Sequence, residues 1–180
     1  MQDHDLYGVQ LRSTELTRLF LLSLALIQVA ITVATMIAPI THTIDEDQDP
    51  LSAPGLFLAL TRVRKPGDAG EDQTFGLIVS AVVVVALLAS AVVALLLAGA
   101  VDFPGKLPTI QFVLAAVVVI GTLALLPAVN SLSLEYLGND HYAFDSDHSA
   151  GGPAWGLWLP IAAAVWAVHL ARGVKRLSDH

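Results

Sequence analysis

Four long stretches of this chain carry no formal charge. Positions 19–40, 76–101, 109–129 and 154–171 contain no Asp, Glu, Lys or Arg, although the chain holds sixteen acidic and nine basic residues. Those charges fall between and beyond the four stretches, at the density of about a quarter that is usual for water-facing protein. A helix advances about 1.5 Å per residue, so about 20 apolar residues cross a hydrocarbon core of roughly 30 Å. Each stretch lies within or above that range. Barrel strands alternate apolar and polar over about ten residues, a pattern missing here. The sequence therefore predicts an all-α membrane protein, a four-transmembrane-helix bundle. A long external loop joins the first two helices.

The expected segments follow from those boundaries. An N-terminal segment covers 1–18, with TM1 over 19–40, a long acidic loop over 41–75 and TM2 over 76–101. A short loop covers 102–108, TM3 109–129, a second acidic loop 130–153, TM4 154–171 and a basic tail 172–180. The first stretch is too long for the apolar part of a signal peptide, and Met36-Ile37-Ala38-Pro39 is a poor cleavage site, so it reads as an uncleaved span. Trp155 and Trp158 open the fourth at the level of an interfacial aromatic belt. Pro160 falls near its first turn, where a missing N–H costs least.

Lys and Arg flanking the spans set orientation. Arg12, Arg18, Lys106, Arg172, Lys175 and Arg176 share one side of a four-span chain, against Arg62, Arg64 and Lys65 on the other. Both termini are therefore expected in the cytoplasm of a plasma-membrane protein. High Ala, Val and Asp, with Arg outnumbering Lys, suits a bacterial or archaeal source. Most acids, among them Asp45, Glu46, Asp47, Asp49, Glu71 and Asp72, fall on the outer side.

The composition also excludes several classes of function. A hydrophobic content of 55% with 14% charge is not that of a soluble enzyme or a disordered tail. A net charge of −7 opposes nucleic acid, which requires a basic footprint. The chain has no cysteine, which removes disulfides, thiolate metal sites and thiol redox chemistry. No Ser-His-Asp order, phosphate-binding glycine loop or H-E-x-x-H motif is present, so neither an enzyme nor a bound cofactor is expected. The two halves of the chain share no residue pattern that would mark an internal duplication.

Within the spans, a few polar and small residues stand out. Gln28, Thr32 and Thr35 recur at i, i+4 and i+7, which makes one helical stripe. An unsatisfied amide in hydrocarbon is costly, so the stripe should face protein, through interhelical hydrogen bonds or along a polar path. Ala86, Ser90, Ala94 and Ala98 form a row of small residues at four-residue spacing, suited to close helix approach. Ser80, Thr122, Thr109 and Gln111 are further polar positions, the last two at the edge of TM3. His169 reads as an interfacial histidine beside Arg172.

The loops offer two more features. Leu56, Phe57, Leu60 and Val63 share a helical face, in a segment too short to span that would lie on the headgroups or cap the bundle. In the second loop Asp145, Asp147 and His148 are candidate metal ligands within an otherwise solvated acidic run. The calcium-loop pattern fails there, because Ala150 replaces the required Gly and Gly156 the required Glu. Gly151-Gly152-Pro153 reads as a turn into TM4.

These features point first to an accessory or structural subunit of a membrane complex, whose partners are the lipid bilayer and other membrane subunits or further copies of itself. A small oligomeric transporter or channel component is the alternative that the Gln28 stripe motivates. An external sensor of divalent cations is the one that Asp145, Asp147 and His148 motivate.

Overall fold

The structure is a computed structural model that describes residues 3–38, 41–45, 48–52, 71–99, 105–128, 150–153 and 155–178. It contains helix α1 (Asp3–Ile37), strands β1 (Thr41–Asp45) and β2 (Gln48–Ser52), helix α2 (Glu71–Gly99), helix α3 (Leu107–Ala128) and strand β3 (Ala150–Pro153). A 3₁₀ turn (Trp155–Trp158) then leads into helix α4 (Leu159–Ser178). Four helices hold windows long and apolar enough to cross a membrane: Glu15–Ile37, Ile78–Gly99, Leu107–Leu126 and Trp155–Leu177.

Local chemistry explains where the helices stop. The Ala38 N–H still donates to Ala34 O at 2.8 Å, but Pro39 follows and has no N–H to continue the ladder. The turn before α3 uses Gly105 in the left-handed region (φ 53°), which side chains other than hydrogen rarely tolerate. Lys106 O then accepts from Ile110 N at 3.0 Å, which makes Lys106 the N-cap of α3. Pro160 is the second residue of α4, within the first turn.

Helix ends differ from the edges of the charge-free stretches in two informative places. At its start α1 runs back to Asp3, far into the N-terminal segment expected over 1–18, with the membrane-length window opening at Glu15. The chain after 171, read from its charges as a tail, continues α4 to Ser178. Leu170, Ala171 and Val174 are buried there, so packing carries the helix past the point where charge begins.

The bundle is up-down-up-down. Neighbouring helices in sequence pack on one another, α4 closes back on α1, and α2 also meets α4 across the bundle. Two layers fill the interior. At one end Val83 and Leu87 of α2, Val118 and Leu125 of α3, and Ala163 and Ala167 of α4 pack with Ile31 and Met36 of α1. At the other end Leu21 and Ala25 of α1, Ala94 and Leu97 of α2, and Leu170 and Val174 of α4 pack with Leu107 and Phe112 of α3. Large apolar side chains such as Phe20, Val85, Leu88, Ile120 and Val165 point outward. A soluble fold avoids such surface, whereas lipid accepts it.

A small antiparallel sheet, absent from the all-α expectation, is added at the end where α1 finishes and α4 begins. Its order is β2-β1-β3, with His42 opposite Ser52 on one side and Gly152 on the other. A register shift between Thr43 and Asp45 marks a bulge against β2. The sheet ties the connection after α1 to the one before α4. Gly151-Gly152-Pro153, expected as a turn, is therefore an edge strand, with Pro153 at its end. Glycines carry no strand signal, and here the backbone of β1 supplies the order that side chains do not. Each outer strand contains a proline, Pro50 or Pro153, a residue tolerated on sheet edges because it lacks a ladder N–H.

Candidate functional site

The most distinctive chemistry in the described bundle is a neutral polar junction where α1, α2 and α3 converge. The row Ala86, Ser90, Ala94 and Ala98 of α2 is buried along its length, each residue at most 5% exposed. Small side chains there leave room for longer ones from both neighbours. Gln28 of α1 and Gln111 of α3 use that room, and both are fully buried.

Both amides converge on one residue. Gln28 Nε2 donates to Ser90 Oγ at 3.4 Å. Gln111 Nε2 donates to Ser90 Oγ at 3.0 Å and to Ser90 O at 3.2 Å. The backbone contact fixes the Gln111 amide, because turning it over would set its own oxygen against a carbonyl that can only accept. No such lock acts on Gln28. A hydroxyl both donates and accepts, so Ser90 serves the Gln28 amide in either orientation. In each case the oxygen, Gln28 Oε1 or Gln111 Oε1, is buried with no partner among the described residues.

The other members of the stripe behave differently. Thr32 and Thr35 are buried beside Gln28, yet their hydroxyls donate to carbonyls of their own helix, Gln28 O at 2.9 Å and Ile31 O at 2.8 Å. Thr122 does the same to Val118 O at 2.7 Å. β-Branched hydroxyls reach the carbonyl four residues back without help from a neighbour. Of the interhelical bonds expected from the stripe, only that of Gln28 is present.

Two contributors are not evident from the sequence pattern. Gln111, placed there at the edge of TM3, is an inward-facing partner of Ser90. Trp166 of α4 donates its Nε1–H to Leu24 O at 2.9 Å, one helical turn before Gln28. The useful signal for Gln111 was the one that flags Gln28, an amide inside an apolar helix that must find a partner. Trp166 carried none, since a tryptophan within a span reads as apolar bulk.

The remaining candidates are quickly placed. Asp145, Asp147 and His148 lie outside the described residues, as does the 56–63 segment. Among the described residues no group of three or more His, Cys, Asp or Glu is placed to hold a metal. His169 is exposed midway along α4. An open groove of about 370 Å³ runs along the outer face of α2 and α3, lined by apolar residues including Ala81, Val85, Ala89 and Val117. Its apolar walls offer no reactive group. No protein-family model, curated protein or solved structure matches this chain.

Proposed function

We propose that this chain is a multi-pass plasma-membrane protein without catalytic machinery, serving as an accessory or structural subunit of a membrane complex. The observation that carries this reading is the state of the polar groups inside the bundle. Gln28 and Gln111 both donate to Ser90, and Thr32, Thr35 and Thr122 bond to their own helices. None of these groups titrates near neutral pH. Proton- and ion-coupled machinery usually keeps an ionisable side chain at this depth.

The burial of the stripe also weighs against the channel reading. Gln28, Thr32 and Thr35 are closed over by packing within a single chain, each at most 2% exposed. The outward apolar faces remain for lipid and partner helices. The start of α1, the end of α4 and the turn at Gly105 sit at one end of the bundle, and the basic residues there support a cytoplasmic assignment for it.

Gentle solubilisation followed by mass measurement tests the proposal. A complex of fixed stoichiometry with a second membrane protein, or with further copies of this chain, is the expected result. A strictly monomeric species in every mild detergent and in native lipid discs would overturn it.

A further inference from the structure

We propose that one end of the bundle is an anionic-phospholipid site, formed by Arg172 and Arg176 of α4 together with Lys106 at the start of α3. This inference rests on the bilayer setting alone and is independent of the accessory role.

Helix α4 supplies two of the three cations. Its apolar side continues past the last uncharged residue, and Leu170, Ala171 and Val174 are buried against α1 and α2. That packing keeps the last two turns helical and turns the opposite face outward. Arg172 and Arg176, one turn apart, are both exposed on it, with Lys175 beside them. All three lie in the last six residues of the membrane-length window Trp155–Leu177. Their charged ends therefore sit at headgroup depth, where long basic side chains keep their stems in the apolar layer and their heads at phosphate.

Helix polarity does not account for the whole patch. Lys175 and Arg176 suit the negative C-terminal end of α4, but Arg172 is a full turn earlier. Lys106 caps the N-terminus of α3, where the helix dipole favours an anion and a cation is misplaced. It is nevertheless exposed at the same end, next to the layer formed by Leu107 and Phe112. Arg18 of α1 lies at this end too. The sequence also places the acids Asp3, Asp5, Glu15, Asp102 and Asp179 on this side, so the preference rests on where the bases sit rather than on net charge. Exposed cations from α3 and α4 at this one end, at phosphate depth, match the headgroup of a phosphatidylglycerol-type lipid better than the zwitterionic headgroup of phosphatidylcholine. Each basic residue near such a surface is worth roughly a five-fold preference.

The test is competition between lipids at the protein boundary. The full-length chain is reconstituted in phosphatidylcholine bilayers with spin-labelled phosphatidylglycerol or spin-labelled phosphatidylcholine, and the immobilised fraction of each is compared. Selectivity for the anionic label is expected, with a several-fold loss in Arg172→Gln/Arg176→Gln, a smaller loss in Lys106→Gln, and a decline as salt screens the charges. The Arg172→Lys/Arg176→Lys variant should retain it, and the melting temperature in pure phosphatidylcholine should be the same for all. Absence of selectivity in the unaltered chain, or full selectivity in the double Gln variant, would overturn the proposal. If the double variant does not insert, Lys106→Gln decides, because it lies on a different helix and removes one charge only.

Discussion

Gly121 of α3 lies so close to Val83 of α2 that a methyl group built on the glycine would stand 2.5 Å from Val83 Cγ2. Val83 is fully buried and in a helix holds essentially one rotamer, so it cannot retreat. Gly121→Ala should force α2 and α3 apart and cost about 1–3 kcal/mol, the usual range for overpacking. Val83→Ala in the same chain should recover much of that loss, giving a strongly non-additive double-mutant cycle. Unfolding titrations in mixed micelles measure all three variants. Additive costs would show that the two helices do not meet at this point.

Ser90 is the shared acceptor of two buried amides, which sets an order among substitutions at the junction. Ser90→Ala strands the donor of Gln28, leaves that of Gln111 only the backbone carbonyl of residue 90, and should cost about 1–2 kcal/mol, near the top of the range for polar contacts in membrane proteins. Gln28→Met removes one long hydrogen bond together with an unpartnered oxygen, and should be close to neutral. Gln111→Met should fall between them, since it gives up two contacts with Ser90. Stability measured in one lipid or detergent tests the ranking. A Gln28→Met variant weaker than Ser90→Ala would mean that Ser90 is not the centre of the junction.

The polar junction also marks where sequence reading succeeds and where it stops. Absence of charge across a membrane-length run is a one-dimensional property, so four spans could be read directly, and helix periodicity grouped Gln28 with Thr32 and Thr35. Which neighbour each group meets depends on helix rotation, which a run of Val, Leu and Ala leaves open because it is apolar on every side. Thr32 and Thr35 accordingly resemble Gln28 in the pattern, yet they satisfy themselves locally while Gln28 reaches α2. The same limit hid the pairing of His42 with Gly152. Strand order between distant loops rests on backbone hydrogen bonds, and glycines leave no side-chain signature of it. At the other end, Val174 shows that charge is a poor guide to where a helix ends, because a buried apolar residue sits between Arg172 and Lys175.

Trp166 ties α4 to α1 through a hydrogen bond to Leu24 O. That carbonyl already serves the Gln28 N–H in the regular helical ladder, so the indole is a second donor to it. Trp166→Phe keeps an aromatic ring but loses the N–H, and should cost about 0.5–1.5 kcal/mol. Trp166→Ala also removes packing and should cost more, about 3–5 kcal/mol if the space does not collapse. Thermal unfolding followed by circular dichroism separates the two. Equal costs would assign all of the contribution to the ring and none to the hydrogen bond.

Because the chain contains no cysteine, single introduced thiols report its topology without background. Lys106 is exposed in the turn before α3, and Asp49 lies in β2 at the opposite end of the bundle. In sealed cells a membrane-impermeant maleimide should label Asp49→Cys from outside, and Lys106→Cys only after the membrane is opened. Loss of one basic residue at 106 leaves five on that side against three on the other, so orientation should not invert. Gln28→Cys should remain unlabelled in both conditions, since the side chain is buried between helices. Labelling of positions 49 and 106 from the same side would break the up-down-up-down arrangement. Labelling of position 28 with the other two as expected would leave the fold intact and move the functional reading toward a water-filled path.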